Sequence, residues 1–409
     1  MIKPQTLKGF RDFLPQEARK RQYVISRLKS VFEQFGFDPL ETPTLEYEEI
    51  LAGKYGDEGE KLMYRFEDNG KRRVAMRYDQ TVPTARVVVQ YKSELTFPFK
   101  RYQIQNVWRA ENTQKGRYRE FLQCDIDTIG IDSALADAEI IATIVAAYKS
   151  LGFNNCKILV NDRAIFKDLS IDAIIVIDKL KKIGKEGVYN ELVEKSIVSS
   201  FSEAQKLLQD LLDAKPTERL NEILQYLKLL GTDLSMIEFS PTLARGLDYY
   251  TGLIFEIETP DYPNGSLCGG GRYNNLIGMF LNEQIPAVGL AVGFDRTIEA
   301  MEALQLFPKD IASASSKVLV TIFNNELLEY SLDVASKLRS NSINTDIFMG
   351  EIKEKNPLEK QIKYALQKNI PYIIVIGPEE KEKNVVNLKN VQTREQTQLS
   401  LEEAIKQLK

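Results

Sequence analysis

Residues 99–130 contain two alternating segments joined by a polar one. Residues 101–108 and 121–129 alternate between polar and apolar side chains, as strands with one buried face do. The segment between them, residues 110–118, is polar and has Gly116 at its turn. The sequence therefore predicts a β-hairpin with a basic tip, around which the rest of the chain is organised.

Charged and polar side chains are concentrated near the tip of this hairpin. Planar guanidinium groups beside carboxylates suit recognition of a phosphate together with a polar or cationic partner. A solvated hairpin with locally paired charges is the alternative interpretation, and the stretch alone does not decide between them. The residues concerned are Arg109, Glu111, Arg117, Arg119, Gln123, Asp125 and Asp127.

The length and composition restrict the class of protein. A chain of 409 residues is too long for one ordinary core, so we expect two or three domains. The chain is 43% hydrophobic, yet no apolar run approaches the roughly 18–20 residues that span a bilayer, and its start lacks a secretory signal. We therefore expect a cytoplasmic protein without a membrane segment. The net charge of −4 argues against a general polyanion binder but permits nucleic acid on one face.

The chain contains no histidine, and its three cysteines form no CxxC pair. Hydrolysis by a Ser-His-Asp triad and HExxH zinc chemistry are therefore excluded, and neither a disulfide framework nor a thiolate zinc site is indicated. Any catalysis must use carboxylates, arginines, lysines, hydroxyls or a bound metal.

Other segments are predicted from periodicity and turn residues. Helices are expected at residues 17–35, ended by Gly36, and at residues 133–151, while residues 164–236 form a series of helices. If residues 74–89 are extended, Arg77, Asp79 and Thr81 point to one face. The three glycines within residues 268–278 form either a loop or a place where the backbone approaches a ligand, and on their own they favour a loop.

The hairpin and three further blocks resemble class II aminoacyl-tRNA synthetases, and the histidyl-tRNA synthetase family in particular. The blocks are QKGRYREF with QCD in the hairpin, MRYDQTVPTARV at 76–87, ARGLDYYTG at 244–252 and AVGLAVGFDRT at 287–297. The resemblance implies an α+β fold: a class II catalytic domain at residues 1–316 with a mixed, mainly antiparallel sheet and a helical insertion at about 164–236. It also implies an α/β anticodon-binding domain at residues 317–409.

The resemblance further implies histidine activation by ATP, with Mg²⁺ bridging the phosphates, and transfer of histidine to tRNA(His). It implies no metal site formed by protein alone, although Asp295, where the family usually has glutamate, is a candidate ligand. The implied catalytic residues are Arg109, Arg245 and Gln123; those for ATP are Arg109, Glu111, Arg117 and Arg296; those for histidine are Asp79, Thr81, Gln123, Asp127, Arg245, Tyr249 and Tyr250; and those for the tRNA acceptor end are Gln114, Lys115 and Arg119.

Two further expectations follow from the resemblance. Residues 17–47 match the first class II motif, which builds a dimer interface in that family, so a homodimer is expected. The alternative function is a non-catalytic, histidine-sensing regulatory paralogue of the same fold. That kind typically lacks the anticodon domain and the ATP-binding arginines, whereas this chain has both.

Overall fold

A computed structural model describes residues 2–52, 62–113, 118–245, 249–281, 283–309, 311, 314–352 and 355–409. The chain forms two compact units. The first comprises Met1–Phe13 and Arg21–Phe307, and the second comprises Leu14–Lys20 and Pro308–Lys409. Each unit has its own sheet and its own hydrophobic core.

The first unit is built on a large sheet. The strands of the first unit are β1 (Asp38–Pro39), β2 (Leu45–Tyr47), β3 (Arg65–Glu67), β4 (Arg73–Met76), β5 (Phe99–Trp108), β6 (Glu120–Ile129), β7 (Lys157–Asp162), β8 (Ile237–Phe239), β9 (Leu253–Glu258), β10 (Cys268–Arg272) and β11 (Ala287–Val292). The large sheet has the order β1-β5-β6-β11-β10-β9-β7-β8, and β2-β4-β3 form a small separate sheet. Only the pairs β1–β5 and β7–β8 of the large sheet are parallel. The expected mixed, mainly antiparallel sheet is confirmed.

The helices up to residue 307 were largely anticipated by their apolar periodicity. Ser133 caps the helix predicted at 133–151 by accepting a hydrogen bond from Leu135 N at 3.2 Å. Gly36 has a φ of 74°, the left-handed conformation expected where glycine ends a helix. The helices are α1 (Pro15–Gln34), α2 (Glu48–Leu51), α3 (Thr81–Gln90), α4 (Ala134–Ser150), α5 (Ile171–Asp178), α6 (Leu180–Glu194), α7 (Phe201–Leu212), α8 (Glu218–Leu229) and α9 (Phe294–Ala303).

The predicted hairpin is present as β5 and β6. The two strands pair antiparallel over ten residues, from Phe99 opposite Ile129 to Trp108 opposite Glu120. α4 contacts β6 and β11 and also packs against α8. Its Ile140, Ile141 and Ile144 are fully buried in the core that covers one face of the sheet. The hairpin's other face is left for polar side chains.

Two segments differ from what their local sequence favours. The glycine run is not a loop, because Cys268–Arg272 is strand β10, paired with β9 and β11 and buried throughout. Residues 74–89, for which an extended conformation was considered, are a strand only up to Met76, and helix α3 begins at Thr81. In both segments, packing against distant parts of the chain overrides the local preference.

The second unit has a five-stranded sheet of its own. Gln361 is fully buried there, where it accepts a hydrogen bond from Ile322 N and donates one to Ile322 O. The elements are β12 (Val318–Val320), α10 (Leu328–Ser340), β13 (Thr345–Ile347), α11 (Glu359–Lys368), β14 (Tyr372–Val375), α12 (Pro378–Glu382), β15 (Val386–Asn390), β16 (Gln396–Leu399) and α13 (Leu401–Leu408), with the strand order β13-β12-β14-β15-β16.

Crossing a bilayer requires a helix of about 20 mostly apolar residues. No helix among the described residues is both long enough and apolar enough to do so.

Candidate active site

One face of the hairpin carries buried polar side chains. Gln123, Asp125 and Asp127 alternate along β6, so all three project from the same face, and each is less than a tenth exposed, at 8%, 3% and 4%. Burial of three such groups has to be compensated by partners or by a ligand. Opposite them in the β5 ladder lie, in the same order, Gln105, Gln103 and Arg101.

These side chains line a cavity of about 320 Å³, which we call the aspartate cavity. The volume falls within the range of about 300–1,000 Å³ that is usual for small-molecule sites. The cavity is lined by Leu62, Tyr78, Asp79, Thr81, Arg109, Gln123, Asp125, Asp127, Arg245, Tyr249, Tyr250, Tyr273, Gly289, Leu290 and Ala291. All seven residues predicted for histidine are therefore brought together around one cavity.

Asp127 is contacted by the protein on both carboxylate oxygens. Its Oδ2 lies 2.5 Å from Arg101 Nη2 in an ion pair that is not aligned as a hydrogen bond. Its Oδ1 accepts a hydrogen bond from the Tyr273 hydroxyl. Burial raises the pKa of Asp127, and the positive charge of Arg101 opposes that shift. A Cβ at Gly289 would overlap Asp127 Oδ1, so the neighbouring strand needs glycine at this point.

Sequence reasoning missed Arg101 and Tyr273. Arg101 is fully buried, and its alternation with Gln103 places both on the polar face. A buried arginine facing a strand with two aspartates was a usable signal, because buried charges are normally paired. Tyr273 follows directly on β10, so it became a candidate only once the glycine run proved to be a strand.

Asp79 and Thr81 line the aspartate cavity from the turn into α3, whereas Arg77 does not. Val82 N donates a hydrogen bond to Asp79 Oδ1 at 3.4 Å, so the aspartate also caps the helix. Arg77 is 3% exposed and donates to Asn106 O at 2.8 Å. The prediction that the three side chains share a face is wrong for Arg77, which instead ties neighbouring segments together.

The glycines of β10 leave room for two large side chains above the sheet. A Cβ at Gly269 would overlap the Arg245 guanidinium, and one at Gly271 would come within 2.9 Å of the Tyr250 ring. Arg245 Nη1 donates to Glu256 Oε1 on β9. Close approach of side chains, rather than flexibility, therefore explains the run of glycines.

A second cavity of about 460 Å³ adjoins the start of α9, and we call it the glutamate cavity. All three described residues that were predicted to bind ATP, Arg109, Glu111 and Arg296, line it. It is lined by Arg109, Glu111, Tyr118, Phe121, Leu122, Arg245, Val292, Gly293, Phe294, Asp295, Arg296 and Glu299. Arg109 and Arg245 line both cavities, so the two cavities meet at this pair of guanidinium groups.

Unlike Arg245, which is paired with Glu256, the other two arginines of the glutamate cavity are held by backbone carbonyls, and Arg109 also contacts an aromatic face. Arg109 Nε donates to Tyr78 O at 3.0 Å, and its guanidinium lies 5.0 Å from the centre of the Phe121 ring. Arg296 Nη1 donates to Ser266 O at 2.5 Å. A carbonyl is a weaker partner for a guanidinium than a carboxylate or phosphate, so both side chains are suited to bind an anion.

The carboxylate of Asp295, which was considered as a metal ligand, is paired with two arginines of the protein. Its Oδ2 lies 2.9 Å from Arg11 Nη2 and its Oδ1 lies 2.6 Å from Arg21 Nη1. The Arg11 guanidinium also lies 3.3 Å from the centre of the Tyr118 ring. Asp295 thus connects the N-terminal segment to a wall of the glutamate cavity.

Three other predicted residues, Gln114, Lys115 and Arg117, lie outside the described residues. Arg119, predicted to contact the tRNA acceptor end, donates from Nε to Glu111 O at 3.1 Å and from its backbone N to Gly9 O at 2.9 Å. In this structure it therefore connects the hairpin tip to the N-terminal segment. Within the described ranges, no group of three or more cysteine, aspartate and glutamate side chains is arranged to hold a metal ion.

The arrangement combines two kinds of binding. The aspartate cavity offers buried carboxylates, hydroxyls and an amide, which suit a small ligand carrying N–H donors and a positive charge. The glutamate cavity is bordered by arginines that suit phosphates. Arg109 and Arg245 at the junction suit negative charge that develops between the two ligands.

Comparison with known proteins assigns the chain to a family. The profile of the family described as "Histidyl-tRNA synthetase" matches residues 9–199 and 177–297, and that of "Anticodon binding domain" matches residues 317–409. The chain is 38% identical over 458 residues to a histidine–tRNA ligase of Cytophaga hutchinsonii, with 100% of both chains covered.

Two further relatives agree. A histidine–tRNA ligase of Wolinella succinogenes is 40% identical over 428 residues, covering 97% of this chain and 96% of the relative. The crystal structure of a histidyl-tRNA synthetase from Nostoc sp. PCC 7120 superposes with a TM-score of 0.86 at 29% identity, covering 100% of both chains. The chain therefore belongs to the histidyl-tRNA synthetase family.

Proposed function

We propose that the chain is a histidine–tRNA ligase that carries out two steps across its paired cavities. In the first step the histidine carboxylate attacks the α-phosphorus of ATP, and pyrophosphate leaves. In the second step a hydroxyl of the terminal ribose of tRNA(His) attacks the carbonyl of the histidyl-adenylate, and AMP leaves. The aspartate cavity takes histidine and the glutamate cavity takes the nucleotide.

The observation that carries this proposal is that Arg109 and Arg245 line both cavities. The first step joins two anions, so its transition state gathers negative charge where carboxylate and α-phosphate meet. Two guanidinium groups at that point reduce the repulsion and stabilise the transition state. The attacking carboxylate is already ionised, so no general base is needed and the absence of histidine is no obstacle.

Polar pairing selects the amino acid. Asp127 and Tyr250 are the proposed contacts of the imidazole ring, while Asp79, Thr81 and Gln123 hold the amino and carboxylate groups, with Tyr249 beside them. A cavity whose buried polar groups need the ring nitrogens rejects isosteric apolar amino acids strongly, because those leave the groups unpaired. Arg296 and Arg117 are the proposed partners of the γ-phosphate, and Glu111 that of the adenine.

Magnesium is the proposed companion of ATP. The ion takes most of its ligands from phosphate oxygens and water, with one or two carboxylates from the protein. Glu299 lines the glutamate cavity and is of the required type, whereas Glu111 is assigned to the adenine and Asp295 is held by two arginines. When bound, the ion neutralises charge on the phosphates.

The tRNA is proposed to contact both units. Gln114 and Lys115, which lie between β5 and β6 in the sequence, and Arg119 are assigned to the acceptor end. Residues 317–409 are assigned to the anticodon, whose unpaired bases suit recognition by a small α/β domain. A homodimer in the cytoplasm completes the proposal.

The competing function is a histidine-sensing regulator without catalysis. It predicts histidine binding but no chemistry, and its kind typically lacks the C-terminal domain that this chain has. Retention of Arg109, Arg245 and Arg296 around one site favours the ligase.

Histidine-dependent exchange of pyrophosphate into ATP tests the proposal. The wild-type chain is expected to exchange only with histidine present. Arg245→Gln is expected to reduce kcat/KM by about 100- to 1,000-fold, the usual effect of removing one transition-state donor. The matched control is Arg72→Gln, which removes an exposed guanidinium paired with Asp68 and is expected to keep full exchange. Histidine binding without any exchange would support the regulator instead.

A further inference from the structure

Asp125 has no role among the functions described so far, yet it lies in the floor of the aspartate cavity. It is 3% exposed and stands between Gln123 and Asp127 on the same face of β6. Gln103 on β5 and Ala291 on β11 are its neighbours across the sheet. Among the described residues, no cation forms an ion pair with it within 4.0 Å. A carboxylate this deeply buried costs stability, so its presence calls for a reason.

The hydrogen bonds of Asp125 orient its neighbour Gln123. Asp125 Oδ2 accepts a hydrogen bond from Gln123 Nε2 at 2.7 Å. Once a bound cation favours its ionised form, the carboxylate only accepts, so it selects the amide orientation in which Nε2 faces Asp125 and Oε1 faces away. Two buried acceptors, Gln123 Oε1 and Asp125 Oδ1, have no hydrogen-bond partner among the described residues. Both side chains line the aspartate cavity, so a ligand with N–H donors would satisfy them.

The charges around Asp125 favour a cation as that ligand. Asp79, Asp125 and Asp127 all line the cavity. Arg101 is already paired with Asp127, and Arg245, which also lines the cavity, is paired with Glu256. Burial is the main cause that raises the pKa of Asp125 to about 8, with Arg101 opposing the shift and Asp127 and Asp79 adding to it. A positive charge placed in the cavity would favour the ionised form again.

We infer that Asp125 is a positioning residue for the α-ammonium group of histidine. It fixes the Gln123 amide so that Oε1 accepts a hydrogen bond from the ammonium, and it adds negative charge beside that group. Asp79, Thr81 and Gln123 then supply three acceptors for the three N–H donors. This inference rests on the proposed function, because it assigns a role within the histidine site.

Replacement of Asp125 by asparagine tests the inference. An amide at position 125 can either accept from or donate to Gln123, so the orientation of Gln123 is no longer fixed and the charge is lost. Asp125→Asn is expected to raise the KM for histidine by about 10- to 100-fold, as for loss of a charge-assisted interaction, with the KM for ATP changed less than about twofold. The matched control is Asp213→Asn, which alters an exposed aspartate that accepts from Gln209 Nε2 and leaves both constants unchanged.

A substrate analogue distinguishes the ammonium from the ring. Imidazolepropionate has the ring and carboxylate of histidine but no amino group. As a competitive inhibitor it is expected to bind the wild type and Asp125→Asn equally well. Equal weakening of histidine and the analogue would overturn the inference, because Asp125 would then serve the ring or the general shape of the cavity. Absence of histidine-dependent exchange in the wild type would instead contradict the proposed function.

A double variant tests whether Asp125 acts through Gln123. In a Gln123→Ala background, Asp125→Asn is expected to raise the KM for histidine by clearly less than in the wild-type background, because the amide to be oriented is already absent and only the charge of Asp125 remains to be lost. If the two effects multiply in full, Asp125 acts independently of Gln123 and the inference fails.

Discussion

The aspartate cavity and the glutamate cavity share two arginines but are built in different ways. The aspartate cavity has a floor of neighbouring strands, where Asp125 and Asp127 are under a tenth exposed and their positions follow from the ladder register. The glutamate cavity is assembled from separate segments, with Arg296 exposed and Arg109 half-buried. Its wall depends on the contact of Arg11 with Tyr118.

The difference suggests that the two cavities have different tasks, one in selecting the amino acid and the other in binding phosphates. A sheet floor with locked side chains offers a pre-formed set of partners, which is what discrimination between amino acids requires. Side chains held by carbonyls and aromatic rings can exchange those partners for phosphate oxygens without leaving a buried charge unpaired. Changes to the floor should therefore affect stability and histidine, and changes to the second cavity should affect ATP.

The largest effect on stability is expected from Arg101→Met. The change leaves the Asp127 carboxylate buried without its cation, and breaking a buried pair in this way costs about 3–5 kcal/mol of the free energy of unfolding. Urea unfolding measures it. Arg72→Gln, which breaks an exposed pair, should cost less than about 1 kcal/mol. Equal losses in the free energy of unfolding would mean that the buried pair in the cavity floor stabilises the fold no more than an exposed pair does.

Gly269→Ala tests whether the glycines of β10 fix the position of Arg245, which lines both cavities. The added Cβ would overlap the Arg245 guanidinium, so the arginine must shift, and kcat is expected to fall by about 10- to 100-fold. The matched control is Gly252→Ala, whose Cβ would lie 3.4 Å from Arg272 Cδ and should be tolerated. If both variants keep full kcat in the exchange assay, the position of Arg245 is not fixed by the glycine strand.

Asp295→Asn probes the glutamate cavity alone. The change releases Arg11 and Arg21, and the wall formed by Tyr118 loses its support. The KM for ATP is expected to rise by about fivefold, equivalent to about 1 kcal/mol, with the KM for histidine unchanged. A parallel rise in both constants would erase the distinction between the two cavities.

A pH-dependent effect concerns the stability cost of Asp125. The folded protein keeps the Asp125 proton up to a pKa of about 8, whereas an unfolded chain loses it near the ordinary value of 3.8. The folded state therefore binds more protons across this interval, and its free energy of unfolding falls as pH rises. Asp125→Asn removes that loss, so its Tm should exceed that of the wild type at pH 8.5, and the difference should be smaller at pH 5. Thermal unfolding at the two pH values checks this, and a lower Tm for the variant at pH 8.5 would contradict it.

Sequence patterns predicted the features that depend on local periodicity. The hairpin of β5 and β6 and the helices α1 and α4 were predicted because alternation, helical spacing and capping residues act over a few neighbours. The helix start at Thr81 was missed, since the alternation of Arg77, Asp79 and Thr81 resembles a strand. Tertiary packing decided the outcome there.

The missed parts of the site depend on contacts between distant residues. Arg101 and Asp127 are 26 positions apart and meet only through the hairpin register. The roles of Tyr273 and the β10 glycines became apparent only from the pairing of β10 with β9 and β11. Asp295 was considered for magnesium, and its partners Arg11 and Arg21 were missed because they are far from it in sequence. None of these contacts has a local signature.

The most direct test of the account is a crystal structure of the chain with a non-hydrolysable sulfamoyl analogue of histidyl-adenylate. The account predicts the imidazole ring in the aspartate cavity, the adenosine in the glutamate cavity, and both Arg109 and Arg245 within hydrogen-bonding distance of the sulfamoyl group between them. An analogue bound with either arginine turned away from that group would contradict it.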